Sequence, residues 1–444
     1  MFENVIGQGA VITLAGDIHL GRMAPAMLFA GPPASGKGTA ALELGRIISC
    51  EKQNAPWNCV CPACARHRLL LHPDLLCLGS RPFFAEIAAS ADAFLKDSES
   101  AAARAFFIRS IRKLLARFSP VLWEDESGIS KLNPMISSLE EGLDELDRPG
   151  KDDDNKKIIE GLKKTAFKLE NDGIKEGIPI NQIRKAAAWA HLAPAGKGKL
   201  LFIENADRMG EGAKNSLLKL LEEPPLALTV LLSSTKPNTL LKTILSRVRV
   251  YRFIQRDEDA ERDVLRRVFR SPWTENKKNS GESIIRAYLD SFLPLNDSTL
   301  RGLAAFFAAS AAAKAFSLCK KRGIVLPGPV SLLGKYAAPI AETAGLGRPE
   351  RNCGGLVSTI LKSADGFGVR SLFGRFLRSL LAIVAESQAP ENVFSCTPLL
   401  VSYYEIWRRF ATEADTAVSI YNQSAALALE RLFTESSGAL AEMK

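Results

Sequence analysis

The chain lacks any stretch of about eighteen or more uncharged apolar residues, although 46% of its 444 residues are hydrophobic. A helix needs about 20 largely apolar residues to cross a bilayer, so we expect no membrane-spanning helix and no membrane partner. The N-terminus has no basic run ahead of an apolar core, so no signal peptide is predicted. Repeats and low-complexity tracts are also missing. These absences predict a globular protein of the cytoplasm.

Net charge and chain length bear on the possible partners and on the number of domains. The formal net charge is +9, and charged residues make up 24% of the chain, an ordinary share for a globular protein. This basic excess permits contact with DNA phosphates, but basic residues scattered over a solvated surface would give the same total. A chain of 444 residues is too long for one ordinary core and predicts two or three domains.

Short apolar runs alternate with helical patterns in the first part of the chain. The clearest run, Ala26 to Ala30, is bounded by Pro25 and Gly31, and a helical pattern follows it at about 37–48. Three further runs have the composition of strands: 74–78, 200–203 and 228–233. Strands that alternate with helices form parallel sheets, so the pattern predicts an α/β domain with helices on both faces of the sheet.

The sequence predicts three domains, the first of which ends where the alternation of strands and helices stops. Residues 1–255 form the sheet domain, interrupted at about 80–178 by a helical insertion. Strand signals fade after residue 255, and both 256–345 and 346–444 carry apolar residues at the three-to-four spacing of amphipathic helices. A stretch with glycines and prolines at 323–355 is interpreted as a linker between these helical domains.

A glycine-rich loop follows the first predicted strand and opens a helix. Gly31 and Gly36 allow the tight turns that aim backbone N–H groups at a phosphate, and Lys37 would reach the β- and γ-phosphates of a nucleotide. Gly38 stands where this motif normally has the hydroxyl that binds Mg²⁺, and Thr39 lies one position further on. The spacing predicts a phosphate site, and it leaves binding of ATP and Mg²⁺ open.

Two alternatives accompany the loop. A glycine-rich turn with an exposed lysine would have the same composition, but a strand before it and a helix after it favour the phosphate loop. The Gly-Lys-Gly-Thr ending also resembles the loop of adenylate kinases, so Gly38 does not exclude a phosphate. A small-molecule kinase, however, would explain neither the clustered cysteines nor the Glu-Glu-Pro-Pro helix described below.

Four of the eight cysteines are crowded between the loop helix and the next strand. Cys50, Cys59, Cys61 and Cys64 predict a structural zinc site, because four thiolates can close a tetrahedral shell around zinc. Reduced, unbound thiols are the alternative. The single residue between Cys59 and Cys61 requires a turn, since alternate side chains of extended backbone point in opposite directions. His67 is a spare ligand if one thiol cannot turn inward.

The third predicted strand ends in polar residues. In phosphate-loop ATPases this position presents one acid to Mg²⁺ and a second to the attacking water. Glu204 occupies the first position and Asn205 the second, and an amide cannot take a proton as a carboxylate does. Efficient hydrolysis of ATP is therefore not expected. Arg247 follows a short helical segment and could act in trans on a neighbour's γ-phosphate, although such an arginine is more often a surface ion-pair residue.

Together these segments resemble the AAA+ subunits of bacterial DNA polymerase III clamp loaders. Residues 2–8 are similar to the family's opening motif, which implies that Val5 and Ile6 lie against an adenine. Residues 215–225 are very close to its signature helix ending in Glu-Glu-Pro-Pro, and 246–248 resemble its Ser-Arg-Cys motif with valine in place of cysteine. The similarity covers 1–80 and 178–255 well and 256–444 weakly.

The resemblance implies a P-loop AAA+ domain followed by an α-helical lid and an α-helical collar that assembles subunits into a ring. Arg301 lies in a segment similar to the lid's sensor-2 motif, which implies contact with nucleotide. Expected partners are the other clamp-loader subunits (gamma/tau and delta), the sliding clamp and, through the complex, primed DNA. The insertion at 80–178 has no counterpart in the family pattern, and the cysteine spacing is one residue shorter than usual.

Two roles within the family compete. The delta-prime type is a stator that keeps the arginine finger, here Arg247, but loses its own hydrolytic site, whereas the gamma/tau type hydrolyses ATP. Gly38 and Asn205 favour the stator. The near-complete phosphate loop favours a motor that would use Lys37, Thr39 and Glu204. The sequence therefore predicts a stator of the DNA polymerase holoenzyme, with a gamma/tau-like motor as the alternative.

Overall fold

The protein folds into two compact units, Met1–Phe292 and Leu293–Lys444. The structure, a computed structural model, describes all residues except 125–127, 147–151, 176, 273–282, 294, 296, 351–352, 364–368, 389–397, 420, 422 and 444. The boundary falls inside the predicted lid, so 256–292 belong to the first unit and 293–345 to the second. The division into three domains stays a prediction.

A five-stranded parallel sheet organises the first unit, with the order β2-β3-β4-β1-β5. The strands are β1 Ala26–Ala30, β2 Leu75–Gly79, β3 Lys199–Glu204, β4 Leu228–Ser234 and β5 Arg249–Arg252. The four strands expected from the sequence are present to within about one or two residues. The fifth was missed because Tyr251 is its one buried residue, so it lacks an apolar run. Because all pairs are parallel, the carboxyl ends of all five strands lie at the same edge of the sheet.

In the described part of the first unit, thirteen helices and short 3₁₀ segments surround or extend this sheet. In chain order the helices of the first unit are α1 Gly9–His19, α2 Lys37–Ser49, α3 Pro62–Arg68, α4 Phe84–Lys96, α5 Ala101–Leu115, α6 Pro120–Trp123, α7 Ile129–Leu146, α8 Asp152–Gly173, α9 Ile180–Ala190, α10 Glu211–Glu222, α11 Lys242–Leu245, α12 Glu258–Arg267 and α13 Ile284–Asp290. Helices α4 to α8 occupy the predicted insertion, whose described residues are mainly helical.

Alternate side chains of each strand enter two different cores, as the two-residue period of a strand requires. On one face Leu28, Leu201 and Leu232 pack with the insertion helices and with α9 to α11. On the other face Phe29 and Phe202 pack with α1, α2 and the cysteine segment. The insertion is thus not an appendage, because its helices cover one face of the sheet.

The second unit is helical in its described part. Its helices are α14 Asp297–Arg322, α15 Gly328–Thr343, α16 Cys353–Ser363, α17 Val369–Glu386, α18 Pro398–Ser419 and α19 Ala425–Ala441. Helix α15 lies within the predicted linker at 323–355, so the linker interpretation is wrong there: Gly328 and Pro329 begin a helix instead of breaking one.

Helix α14 is the centre of this second unit. Its segment Ser298–Arg322 is long and apolar enough to cross a membrane by length and composition, but 72% of its apolar window is buried within the protein. It packs against α15, α17 and α19, with Phe307 meeting Phe376 and Phe433 edge to face. Its apolar character is therefore used in the core of the unit.

Candidate phosphate site and zinc site

The predicted phosphate loop connects β1 to α2. Gly36 has a φ of +92° and precedes the first turn of α2, a conformation that L side chains rarely adopt. A Cβ atom on Gly31 would lie 2.2 Å from the carbonyl oxygen of Phe253, so only glycine fits against the chain that follows β5. The two glycines predicted to shape the loop are thus required by its geometry, and Thr39 lies in the first turn of α2.

Lys37 folds back onto its own loop. Its Nζ donates to the carbonyl oxygens of Gly31 at 2.8 Å and Pro32 at 2.5 Å, and lies 3.2 Å from Ser35 Oγ. Burial lowers the pKa of Lys37 to about 8, although the charges of Glu204 and Asp207 act to raise it. The ammonium group therefore remains mainly charged at neutral pH, and oxygen atoms of the loop itself surround it.

Arg256 ties this loop to the N-terminal segment. Its Nε donates to the carbonyl oxygen of Ile6 at 2.7 Å, and its Nη1 donates to that of Ala34 at 2.7 Å. Its Nη2 lies 2.6 Å from the position that a Cβ atom on Gly36 would take, and Val5 Cγ1 lies 3.7 Å from the same position. Val5 and Ile6 are thus connected to the loop, and their contact with an adenine stays a prediction. Arg256 was missed because it belongs to no motif.

Glu204, the predicted metal ligand, is bound by two arginines. Its Oε2 accepts from Arg81 Nε at 3.1 Å and from Arg117 Nη2 in a second, shorter contact. Its Oε1 lies 3.4 Å from the position that a Cβ atom on Gly38 would take, so the carboxylate adjoins the start of α2. The structure therefore brings Glu204 to the loop as expected, but with a guanidinium partner on one oxygen where metal coordination was predicted.

The two arginines come from the segment that the sequence could not interpret. Arg81 follows β2, and Arg117 lies in the 3₁₀ segment Ala116–Phe118 of the insertion. Both guanidinium groups lie over the ring of Phe83, at 4.2 Å and 5.5 Å from its centre. Arg81 also pairs with Glu86 at 2.8 Å. A contact across 87 residues leaves no local spacing in the sequence, so neither arginine could be found there.

The side-chain amide of Asn205 hydrogen-bonds to the backbone after β2. Its Nδ2 donates to the carbonyl oxygen of Ser80 at 2.8 Å, and its φ of +53° is the left-handed conformation that asparagine tolerates better than most residues. An amide held in this way does not offer a base to a water molecule. The local geometry agrees with the predicted weakness of hydrolysis, which itself stays a prediction.

Mg²⁺, which the AAA+ fold implies, does not fit these residues. Gly38 offers no hydroxyl, and the carboxylate of Glu204 already accepts from two guanidinium groups. Mg²⁺ needs oxygen ligands in near-ideal octahedral geometry and is repelled by neighbouring cations. The two positions that normally supply protein ligands to Mg²⁺, here Gly38 and Glu204, therefore do not offer the expected oxygen atoms.

The four predicted zinc ligands are brought together. The Sγ atoms of Cys50, Cys59, Cys61 and Cys64 all lie within 4.8 Å of one another, and all four residues are buried. Sulfur atoms bound to one tetrahedral zinc at about 2.3 Å are about 3.8 Å apart, so the cluster is compatible with a zinc site. Cys50 ends α2, Cys61 caps α3, and a turn from Pro56 brings Cys59 inward.

The thiols of this cluster differ in how readily they lose a proton: burial raises the pKa of Cys50, and it raises the pKa of Cys64 to about 12. Burial raises the pKa of Cys61, but hydrogen bonds from the backbone amides of Glu51 and Cys64 outweigh it and hold the pKa at about 6. Arg46 Nη1 lies 3.1 Å from Cys64 Sγ. His67, the spare candidate, is not part of the cluster: its Nε2 lies 2.8 Å from Ser49 Oγ and its ring stacks on His72.

Arg247, the proposed finger, lies on the surface of the first unit, with its side chain 34% exposed. Its Nη1 donates to the carbonyl oxygen of Thr243 at 2.9 Å, and its Nη2 pairs with Glu222 Oε1 at 2.9 Å. Glu222 ends α10, the helix of the Glu-Glu-Pro-Pro signature. The arginine is therefore held in a defined orientation and is not buried in the core.

Arg301, the predicted sensor-2 residue, lies in the second unit. Its guanidinium pairs with Glu386 of α17, and its Nη2 donates to Tyr336 Oη at 3.1 Å. The hydrogen bonds to Glu386 raise the pKa of Arg301 despite its partial burial. These contacts explain the arginine within its own helical unit, and a role in nucleotide binding stays a prediction.

The parallel sheet with its phosphate loop after β1, followed by helical segments, defines a P-loop AAA+ domain with helical C-terminal domains. The family model described as DNA polymerase III, delta subunit, matches residues 141–257. The DNA polymerase III subunit delta' of Pseudomonas aeruginosa is 38% identical over 82 residues, which is 18% of this chain and 25% of that protein. The resemblance to clamp-loader subunits of bacterial DNA polymerase III is thereby confirmed.

The extent of these similarities is limited. The chain covers about a quarter of the length of the Pseudomonas protein. A crystal structure of a DNA polymerase III gamma subunit-related protein from Thermotoga maritima covers 60% of this chain and 81% of its own, at 20% identity and a TM-score of 0.29, which is too low to support an inference. The activity and partners of the whole protein are therefore treated as proposals.

Proposed function

We propose that this protein is a clamp-loader subunit of the DNA polymerase III holoenzyme, acting as a delta-prime-type stator. In this role it occupies a cytoplasmic ring with gamma/tau and delta subunits that places the sliding clamp on primed DNA. Arg247 completes the ATP site of the neighbouring motor subunit, where a guanidinium group stabilises charge developing on the γ-phosphate. The observation that carries the proposal is the surface position of Arg247, held by Glu222 of the signature helix.

The chain's own phosphate site supports the stator. An acid is missing at Asn205, Gly38 has no hydroxyl, and Glu204 is paired with arginines. A site with these features lacks both the usual Mg²⁺ shell and the base that orients water. The ring would then draw its hydrolysis from other subunits, and this one would contribute geometry and a single cation.

A substitution of Arg247 tests the role in trans. In a complex reconstituted with partner subunits, Arg247→Ala should lower the DNA- and clamp-stimulated ATPase and clamp loading by roughly 10³-fold or more, the range seen for arginine fingers. The matched control is Arg262→Ala, an exposed arginine paired with Glu258 on α12. Clamp loading by Arg247→Ala equal to that of the control would refute the role.

A gamma/tau-like motor is the second candidate, because Lys37 and both loop glycines are in place. On this alternative the isolated chain would hydrolyse ATP, and Lys37→Ala would abolish the activity. The stator instead predicts no ATPase activity above background for the isolated chain, measured as phosphate release with clamp and primed DNA added. A Lys37-dependent activity would favour the motor.

We further propose that Cys50, Cys59, Cys61 and Cys64 hold one structural zinc. With four protein ligands the metal would have no open position, so it would stabilise the connection between α2 and α3 without taking part in catalysis. The close packing of the four thiols supports this assignment.

A further inference from the structure

The carboxylate expected to bind Mg²⁺ lies in a network richer in positive than in negative charge. Arg81 and Arg117 both donate to Glu204, Arg81 also pairs with Glu86, and Lys113 pairs with the other oxygen of Glu86. Three cations therefore share two carboxylates. All five side chains are at least four-fifths buried, so solvent screens their charges poorly.

The surrounding charges do not cancel this surplus. Lys37 faces Asp207, which adds one charge of each sign beside the loop. Glu170 lies near Arg81, but burial raises the pKa of Glu170 to about 7, so it is only partly ionised at neutral pH. Arg256 adds a further guanidinium beside the loop, where it donates to carbonyl oxygens and where Glu261 supplies an acidic charge.

Arg117 has hydrogen-bonding capacity left over. Its side chain is only 6% exposed, yet its Nε and Nη1 have no hydrogen-bond partner among the residues that the structure describes. Burying unpaired donors of a charged group costs free energy, so such donors usually meet an anion or a polar ligand. Arg117 thus pairs with the carboxylate that was predicted to bind a metal, and two of its donors remain unsatisfied.

Electrostatics in this arrangement oppose a divalent cation. A Mg²⁺ ion at Glu204 would displace or approach two guanidinium groups, whose charges have the same sign as its own. An anionic phosphate chain in the loop would instead meet Lys37, the N-terminus of α2 and the nearby guanidinium surplus. The usual function of Mg²⁺ in such a site, neutralising phosphate charge, is then supplied by arginine.

We infer that the phosphate loop binds a polyphosphate anion, as free phosphate chain or as the tail of a nucleotide, without a divalent cation, because Arg81 and Arg117 take the place of Mg²⁺ at Glu204. The helical insertion acquires a function on this view: it carries Arg117 to the end of β3. The inference extends the proposed stator and shares its phosphate-loop assignment, but it is independent of Arg247.

The direct test is calorimetric titration of the full-length chain with ATP and with tripolyphosphate. The buffer is freed of divalent cations on a chelating resin, and EDTA is omitted because it would compete for the proposed zinc. Both ligands should bind in this buffer, and millimolar Mg²⁺ should leave the dissociation constant unchanged within about twofold or weaken binding. Equal affinities would assign recognition to the phosphate chain alone, and tighter binding of ATP would add the nucleoside.

Substitution of Glu204 separates the two mechanisms by the sign of its effect. Glu204→Gln removes the carboxylate that competes for the guanidinium groups, so metal-free affinity should rise by about threefold or more. In a Mg²⁺-dependent site the same change removes a metal ligand and should weaken binding. A loss of affinity in Glu204→Gln therefore overturns the inference.

Variants that remove a basic group test the same site, because they should weaken binding of the anion. Arg81→Gln should weaken metal-free binding by about tenfold, and Lys37→Ala should weaken it at least as much. Arg81 is chosen over the more buried Arg117 because its side chain is 19% exposed and its loss endangers the fold less. Arg262→Gln is the control and should bind like the unchanged protein.

Three results would refute metal-free binding: no heat with either ligand at millimolar concentration, binding only after Mg²⁺ is added, or full affinity in Lys37→Ala, which would place the ligand elsewhere. None of these results would alter the effect of Arg247→Ala on the assembled complex. The two proposals therefore fail separately.

Discussion

Glu170 of α8 has a carboxyl group whose surroundings disfavour its charge. Burial raises its pKa to about 7, against the opposing influence of hydrogen bonds from the amides of Phe83 and Phe84 and of the charge on Arg81. Its Oε2 accepts from the Phe84 N–H at 2.8 Å. Since the folded state holds this proton more tightly than the unfolded state, the group stabilises the fold below pH about 4.5 and this advantage is lost as the pH rises towards 7.

Glu170→Gln should remove this dependence. Glutamine keeps an oxygen for the Phe84 amide but cannot ionise, so the variant should be more stable than the unchanged protein at pH 8, by about 1–2 kcal/mol, and equal to it near pH 4. Urea unfolding at several pH values measures the difference. Parallel stability curves for the two proteins across this range would contradict the assignment.

Single residues also show what sequence reasoning could and could not reach. Gly31, Lys37 and Glu204 were found because their motif spacing is local and follows an apolar run. Arg81, Arg117 and Arg256 complete the same site across separations of 123, 87 and 250 residues. No periodicity connects such positions, and only the packing of the insertion and of the segment after β5 brings them together.

At the scale of elements, apolar content decided which strands could be recognised. β1 and β3 are buried along nearly their whole length, whereas β5 pairs with β1 through its backbone and exposes Arg249, Val250 and Arg252. A strand of this kind has no alternating or continuous apolar pattern. The zinc ligands were predictable for the opposite reason, because their chemistry is confined to fifteen consecutive positions.

The connection between α2 and α3 has little structure of its own between Cys50 and Pro62. Its backbone carbonyl oxygens accept hydrogen bonds from Arg46, Arg68 and Lys197, and its thiols lie together. We expect one zinc per chain by elemental analysis, and we expect a strong chelator to lower the melting temperature, by roughly 2–4 °C for each kcal/mol lost.

Cysteine variants make the zinc prediction specific. Cys59→Ser should reduce both the zinc content and the melting temperature. Cys77→Ser alters a thiol that is equally buried but lies outside the cluster, so it should retain a full equivalent of zinc. Zinc content unaffected by Cys59→Ser would show that the four thiols do not hold the metal.

At the scale of the whole molecule, the two units have separate cores. The second is built from Phe307, Tyr403 and Trp407 and the residues around them, all from helices α14 to α19. A core of this kind satisfies the main requirement for independent folding. Residues 293–444 expressed alone should therefore give a helical circular dichroism spectrum and a cooperative thermal transition. A non-cooperative melt, with binding of a hydrophobic dye, would show that this segment depends on the rest of the chain.

The hydrogen bonds by which Arg256 joins the phosphate loop to the N-terminal segment have a consequence for biosynthesis. Its partners Ile6 and Ala34 leave the ribosome 250 and 222 residues earlier, and β1 is likewise made before both strands that flank it. At roughly 5–20 residues per second, the nascent loop waits about 10–45 s for its arginine. β1 has no neighbouring strand until β4 is made, so for most of that interval its apolar residues depend on chaperones for protection.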